Sequence, residues 1–261
     1  MSYIIFAIII LGILGFVFAA LLGIAADYFK IDIDPRISAI VAILPGANCG
    51  ACGQAGCQAF AEKLVKGEVS VSGCTVGGKE VAEKLAKLMG KNAEVVEKFI
   101  AAVHCGAGVK TRKIIANYSG IKTCLAASLI NNGGHACSFG CLGYGDCYCS
   151  CPFDAIRMKE GLPKFDPKKC TACGKCVAAC PKQIISLKPM DNPVVVACSS
   201  HDSGAVTRKN CPVGCIACKI CEKEVPDAFK VVDNLARLDY TKNVDCTSAI
   251  EKCPTKCIVK Y

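Results

Sequence analysis

Residues 3–26, YIIFAIIILGILGFVFAALLGIAA, run for 24 positions without a charged side chain. A helix that crosses the hydrocarbon core of a bilayer needs about 20 apolar residues, so this stretch predicts a transmembrane helix within an anchor at 1–30. A cleaved signal peptide would carry a basic start and a shorter apolar core of about 7–15 residues; MSYII has no basic residue. Positive charge follows the span (Lys30, Arg36 and many later lysines) and none precedes it. That asymmetry predicts a single pass with the C-terminal part on the cytoplasmic side. Pro35 and Pro45 break the linker that follows. Further on, apolar positions recur every three or four residues. QAFAEKLVKGE, after Cys57, reads as a helix with Phe60 and Leu64 on one face, and 78–103 reads as two helices broken near Gly90.

Composition changes this picture through one residue type. The chain has 261 residues and 23 of them are Cys. In a short secreted chain that would indicate a disulfide scaffold. Here the count is odd and the thiols stand in C-x2-C ladders, which suits convergence on metal centres in a reducing compartment. Three His against 23 Cys leaves too few histidines for zinc fingers of two Cys and two His. The formal charge of +9 counts each Cys as neutral. Cluster-bound thiolates and sulfides add about two negative charges per oxidised cubane, so four cubanes would nearly cancel it. With no helix-turn-helix, zinc finger or aromatic-and-basic platform, the sequence gives no reason to expect nucleic acid. The lysines read instead as a docking face for an acidic partner.

The first cysteine box, NCGACGQAGC, has the spacing Cys49-x2-Cys52-x4-Cys57-x16-Cys74. Four thiolates from one compact segment suit a 4Fe-4S cubane, and the glycines between them allow left-handed turns that bring N–H groups to sulfur. Four-thiolate zinc is the rival, but its usual form is two short knuckles.

The stretch CTACGKCVAACPKQ has the ferredoxin rhythm C-x2-C-x2-C-x3-C-P. In a two-cluster ferredoxin the first three cysteines bind one cluster and the fourth ligates the other. The complementary half is CSFGCLGYGDCYCSCPFDAI, where Tyr144 interrupts the ladder and Cys137 stands in as an extra thiol. Counting predicts one cluster on Cys137, Cys141, Cys147 and Cys180, and another on Cys151, Cys170, Cys173 and Cys176. Cys149 is unassigned.

The half-motifs repeat. CPVGCIACKICEKEV aligns Cys211 with Cys137, Cys215 with Cys141 and Cys221 with Cys147. Val225, Asn243 and Ala249 occupy ligand positions of a lost site, leaving one cluster on Cys215, Cys218, Cys221 and Cys253. The expected total is four 4Fe-4S clusters, within a range of three to five. Cys198, Cys211, Cys246 and Cys257 are left over and could form a fifth, irregular site. Cys105 and Cys124 stand alone; either could contribute to the Cys137 cluster. The fold class is α+β: the transmembrane helix, a small 4Fe-4S domain (31–90), a helical connecting region (91–135), a ferredoxin-like module (136–190) and a degenerate one (191–261).

No nucleotide fingerprint, flavin motif or Ser/His/Asp constellation accompanies these sites, so the chain reads as an electron relay that completes no reaction alone. The apolar N-terminus, the PGANCGACGQAGC box, the CSFGCLGYGDC half and the tandem ladders together resemble the B subunits of the Rnf complexes. The resemblance covers essentially the whole chain. It implies a subunit of an ion-translocating ferredoxin:NAD+ oxidoreductase in a cytoplasmic membrane. Such a subunit would accept electrons from reduced ferredoxin and pass them to membrane subunits, with the A, C, D, E and G subunits as partners and the flavin and NAD sites on those partners. A zinc-stabilised membrane-anchored interaction protein is the first alternative. A cluster subunit of another redox complex, such as a hydrogenase or a heterodisulfide reductase, is the second.

Overall fold

The computed structural model describes residues 2–28, 34–92, 97–242 and 244–260. It divides into two units, Met1–Ala39 and Ile40–Tyr261. In the first, helix α1 (Ser2–Tyr28) is continuous. Its segment Tyr3–Ala25 has a mean hydropathy of 3.1 and is long and apolar enough to cross a membrane. Its large side chains, from Tyr3 to Ile24, are exposed, as a lipid-facing helix requires. Lys30 lies outside the described residues.

A short helix α2 (Pro35–Ile43) precedes the first cysteine box. Two helices follow, α3 (Cys57–Val65) and α4 (Gly78–Met89). Phe60 and Leu64 of α3 and Leu85 of α4 are fully buried, as the apolar spacing predicts. Gly90 ends α4 in a left-handed cap with φ 63°. The expected second helix of 78–103 is corrected. Residues 93–96 lie outside the described residues, and Phe99–Val103 form strand β1. Its Ile-Ala-Ala-Val run is buried on both faces, so periodicity alone does not separate strand from helix.

The ferredoxin region is built twice from the same parts. In the first copy the hairpin β2 (Ile156–Lys159) and β3 (Leu162–Phe165) turns at Glu160 and Gly161, both with positive φ. In the second copy β6 (Phe229–Val232) and β7 (Leu235–Leu238) turn at Asp233 and Asn234, again both with positive φ, the backbone of a tight two-residue hairpin turn. Around each hairpin lies an outer antiparallel pair. β1 pairs with β4 (Ile185–Pro189), Val103 opposite Ile185. Likewise β5 (Val194–Val196) pairs with β8 (Ile258–Lys260), Val196 opposite Ile258. Short helices carry or flank the thiols: α6 (Asp146–Cys149) and α7 (Lys175–Ala178) in the first copy, and α8 (Gly204–Asn210), α9 (Ile220–Glu224) and α10 (Thr247–Glu251) in the second.

Each copy has its own small core, and both cores mix aliphatic side chains with thiols. In the first, Cys141, Cys147 and Cys176 sit among Ile156, Leu162, Phe165 and Ile184. In the second, Cys215, Cys221, Cys246 and Cys257 sit among Val196, Phe229, Leu235 and Ile258. Val225 and Ala249, the residues standing at lost ligand positions, are buried in this second core. Asn243 lies outside the described residues.

Candidate metal centres

In the first box the backbone turns through left-handed conformations at Gly50 (φ 74°) and Gly53 (φ 76°), which a Cβ would strain. The Asn48 side chain accepts the N–H of Cys57 at 2.8 Å and fixes the start of α3. Cys49, Cys52, Cys57 and Cys74 then surround one cavity of about 350 Å³, floored by Leu44 and Phe60. Burial pushes the Cys74 thiol above its usual range, and Cys57, Cys52 and Cys49 beside it add to the rise.

In the first ferredoxin copy, Cys147 on α6 and Cys176 on α7 are buried side by side. Burial, then the neighbours Cys170, Cys173, Cys147 and Cys151, pushes the Cys176 thiol up to about 12. A second group lines a cavity of about 370 Å³: Cys124, Cys141, Cys147 and Cys180. Burial, then Cys124 and Cys180, pushes Cys147 up to about 12. Cys180 thus lines the cavity of Cys141 and Cys147, and Cys151 stands among the thiols near Cys176.

The fourth member of this second group is Cys124, where ladder counting gave Cys137. Cys124 opens helix α5 (Cys124–Leu129), which is capped by Thr123. The Asp146 carboxylate accepts the N–H groups of Cys124 and Leu125 at 2.9 and 3.0 Å. That clamp holds α5 against the start of α6, one residue from Cys147. Tyr144, which interrupts the ladder, lies against Tyr118, in the segment that leads into α5, ring centroids 6.0 Å apart. That segment thus covers the gap in the ladder and brings a thiol to it. Cys137 lines an adjoining cavity with Cys105, Cys198 and Cys211, and Cys141 lines both cavities.

In the second copy Cys215, Cys218, Cys221 and Cys253 surround a cavity of about 350 Å³ with Val231 and Ile258. Burial first, then Cys215, Cys218 and Cys253, pushes Cys221 up to about 11. Backbone N–H groups point at these sulfurs: Ala236 to Cys215 at 3.4 Å and Cys257 to Cys253 at 3.3 Å. The buried Cys257 thiol lies against both Cys198 and Cys215; that contact raises its own pKa and lowers their thiols to about 7 and about 6. Cys246 is buried at the start of α10, and Cys149 is exposed.

Among the described residues, no three His, Cys, Asp or Glu side chains close on a point fit for a single ion. The thiols instead stand around apolar voids, with N–H donors aimed at them. An all-sulfur donor set of that form fits a cubane better than one zinc ion.

Comparison with known proteins adds to this geometry. A family model described as "Putative Fe-S cluster" matches residues 44–76, the first box, and one described as "4Fe-4S binding domain" matches residues 163–186. Across the whole chain, similarity extends to the B subunit of the Na(+)-translocating ferredoxin:NAD(+) oxidoreductase complex of Acetobacterium woodii, 44% identical over 95% of this chain and 75% of the relative. The B subunit of the ion-translocating oxidoreductase complex of Methanosarcina acetivorans is 40% identical over 98% of both chains. The B subunit of the proton-translocating ferredoxin:NAD(+) oxidoreductase complex of Clostridium ljungdahlii is 41% identical over 99% of this chain and 93% of its own.

Proposed function

The chain belongs to the B subunits of the ion-translocating oxidoreductase complexes, and from that premise we propose that it relays electrons from reduced ferredoxin toward membrane partner subunits and finally NAD+. The partners on this reading are the A, C, D, E and G subunits, and α1 tethers the relay in membrane lipid with the cluster domains on the cytoplasmic side. The observation that carries the proposal is the grouping of thiols in fours around separate apolar sites.

The proposed ligand sets are Cys49, Cys52, Cys57, Cys74; Cys124, Cys141, Cys147, Cys180; Cys151, Cys170, Cys173, Cys176; and Cys215, Cys218, Cys221, Cys253. The anchor (1–30) carries a first cluster domain (31–90) and two ferredoxin-like modules, the first drawing β1 and Cys124 from 91–135. A bound 4Fe-4S cubane supplies one-electron transfer with little rearrangement. The chain's own residues place the sulfurs, exclude water with Leu44, Phe60, Val231 and Ile258, and aim N–H groups at them. Such donors favour the more reduced, more negative cluster and so raise its potential.

The test is anaerobic purification of the full chain followed by titration with reduced ferredoxin. The expected result is a brown protein with at least about 16 iron atoms per chain, four for each cubane, that takes up electrons stoichiometrically. Stoichiometric zinc with no visible absorption would overturn the reading.

One residue outside the ligand sets should tune the relay. Replacing Cys257 with alanine removes the thiol whose hydrogen bond lowers that of Cys215. At about 1 kcal/mol per hydrogen bond and about 59 mV per tenfold for one electron, the midpoint potential of that cluster should fall by about 40 mV. EPR-monitored redox titration reads the shift, and an unchanged potential would remove Cys257 from this role.

A further inference from the structure

We propose that Cys105, Cys137, Cys198 and Cys211 hold a fifth 4Fe-4S cluster, built between the two ferredoxin copies with two ligands from each. This inference rests on the cluster reading of the regular sites. The four thiols line one cavity of about 510 Å³, larger than those of the first box and of the Cys215 site. Burial, and then Cys105, Cys137 and Cys198, raises the Cys211 thiol to about 11, and burial, then Cys105 and Cys198, raises that of Cys137.

The site has the symmetry of the duplication. Cys105 follows β1 by two residues, and Cys198 follows β5 by two residues. Those strands are equivalent, each pairing with the strand that begins five residues after a Cys-Pro, β4 after Cys180 and β8 after Cys253. Cys137 precedes Cys141 by four residues, and Cys211 precedes Cys215 by four. Each copy therefore contributes the same pair. Scattered thiols left over from a decayed module would have no reason to meet in matched pairs.

The strand ends are fastened together. The Gly106 N–H donates to the Ala197 carbonyl at 2.9 Å, and the Ser199 hydroxyl donates to the His104 carbonyl at 2.9 Å. The His104 ring bridges the Val196 carbonyl (2.9 Å) and the Ser186 hydroxyl (2.7 Å), so β1, β4 and β5 are locked beside the cavity.

Two of the four sulfurs also receive a backbone N–H. Cys141 donates to Cys105 and Ser200 donates to Cys198, each at 3.4 Å. Sulfurs dressed in this way are prepared to be thiolates.

The position gives the site a role. On one side the Cys141 N–H links it to the Cys124, Cys141, Cys147, Cys180 group. On the other, the buried Cys257 thiol lies beside both Cys198 and Cys215. A cluster here joins the wire of the first copy to that of the second.

The test counts iron and acid-labile sulfide in the full-length chain purified anaerobically in detergent, with Mössbauer spectra of the same sample. The expected result is about 20 iron atoms per chain, all in cubanes. Cys198→Ala and Cys211→Ala should each lose about four of them and leave the EPR signals of the other sites in place, while Cys149→Ala loses none. If those variants fail to fold, the wild-type count still decides. About 16 iron atoms, with or without one zinc, overturns the fifth site and leaves the relay standing; an iron-free preparation overturns the relay itself.

Discussion

Stripping the iron from the anaerobically purified chain should unfold the unit Ile40–Tyr261, leaving no folded apo form. The described strands form four separate two-stranded sheets, and a lone two-stranded sheet is marginal in water. The helices of the ferredoxin copies, α6 to α10, are four to seven residues long. None would hold by itself, since isolated helices under about 12 residues are marginal. The two cores depend on Cys141, Cys147, Cys176, Cys215 and Cys221 as filling, and the sites they line are voids without a cluster. Ordinary domains are stable by about 5–15 kcal/mol. A structural metal site can carry about 10 kcal/mol by itself. Losing several should exceed any margin these cores retain. Far-UV circular dichroism and amide hydrogen exchange, before and after anaerobic chelation, should show loss of the cooperative transition while the detergent-bound α1 keeps its helix. An apo chain that still unfolds cooperatively, at a midpoint near that of the intact protein, would show that the clusters are guests in a preformed scaffold.

That dependence also explains what could be read from the chain. A ferredoxin ladder is local: turns, thiols and the closing proline must fall at fixed offsets, so the spacing around Cys170–Pro181 is visible in the letters. The second copy's departure from the ladder is also visible in the letters: Val225 and Ala249 are apolar residues at positions that hold thiols in the first copy, and both are buried. Strand β1 was not visible. Its identity is set by pairing with β4, far along the chain, while its own apolar run fits either state. The exchange of Cys137 for Cys124 was hidden for a similar reason. What brings Cys124 to the ladder is a carboxylate clamp from Asp146 and a tyrosine contact with the segment that leads into α5, neither of which has a spacing rule. A partial signal did exist. Aligning the two copies put Cys211 with Cys137, and those two thiols line the same cavity. The alignment paired two thiols that line one cavity, without a spacing rule to say that they meet there.

Cys180→Ala should cost more than its place in the ladder suggests. By sequence it closes the run Cys170, Cys173, Cys176; in space it lines the cavity of Cys124, Cys141 and Cys147. Cys151 makes the reverse journey and lies by Cys176. On the proposed ligand sets each half-ladder ends as a ligand of the other half's cluster, and the two clusters would cross-brace α6 and α7. Removing Cys180 deletes a ligand and one of the two braces, and leaves the Cys141 and Cys147 thiols, both otherwise pushed up to about 12 by burial, to be reprotonated in an apolar core. The expected result is loss of about four iron atoms from the Cys124 site with the Cys170, Cys173, Cys176 cluster still present. The unfolding free energy should drop by several kcal/mol, the scale of losing a structural metal site. Electron uptake from reduced ferredoxin by the sites beyond the gap should fall at least about tenfold, a barrier rise of about 1.4 kcal/mol or more. Iron analysis, EPR and stopped-flow reduction on one preparation read all three. If the variant instead kept the Cys124 signal and lost that of Cys170, Cys173 and Cys176, the half-ladders would each hold their own cluster, and the crossed arrangement of the sulfurs would have to be abandoned.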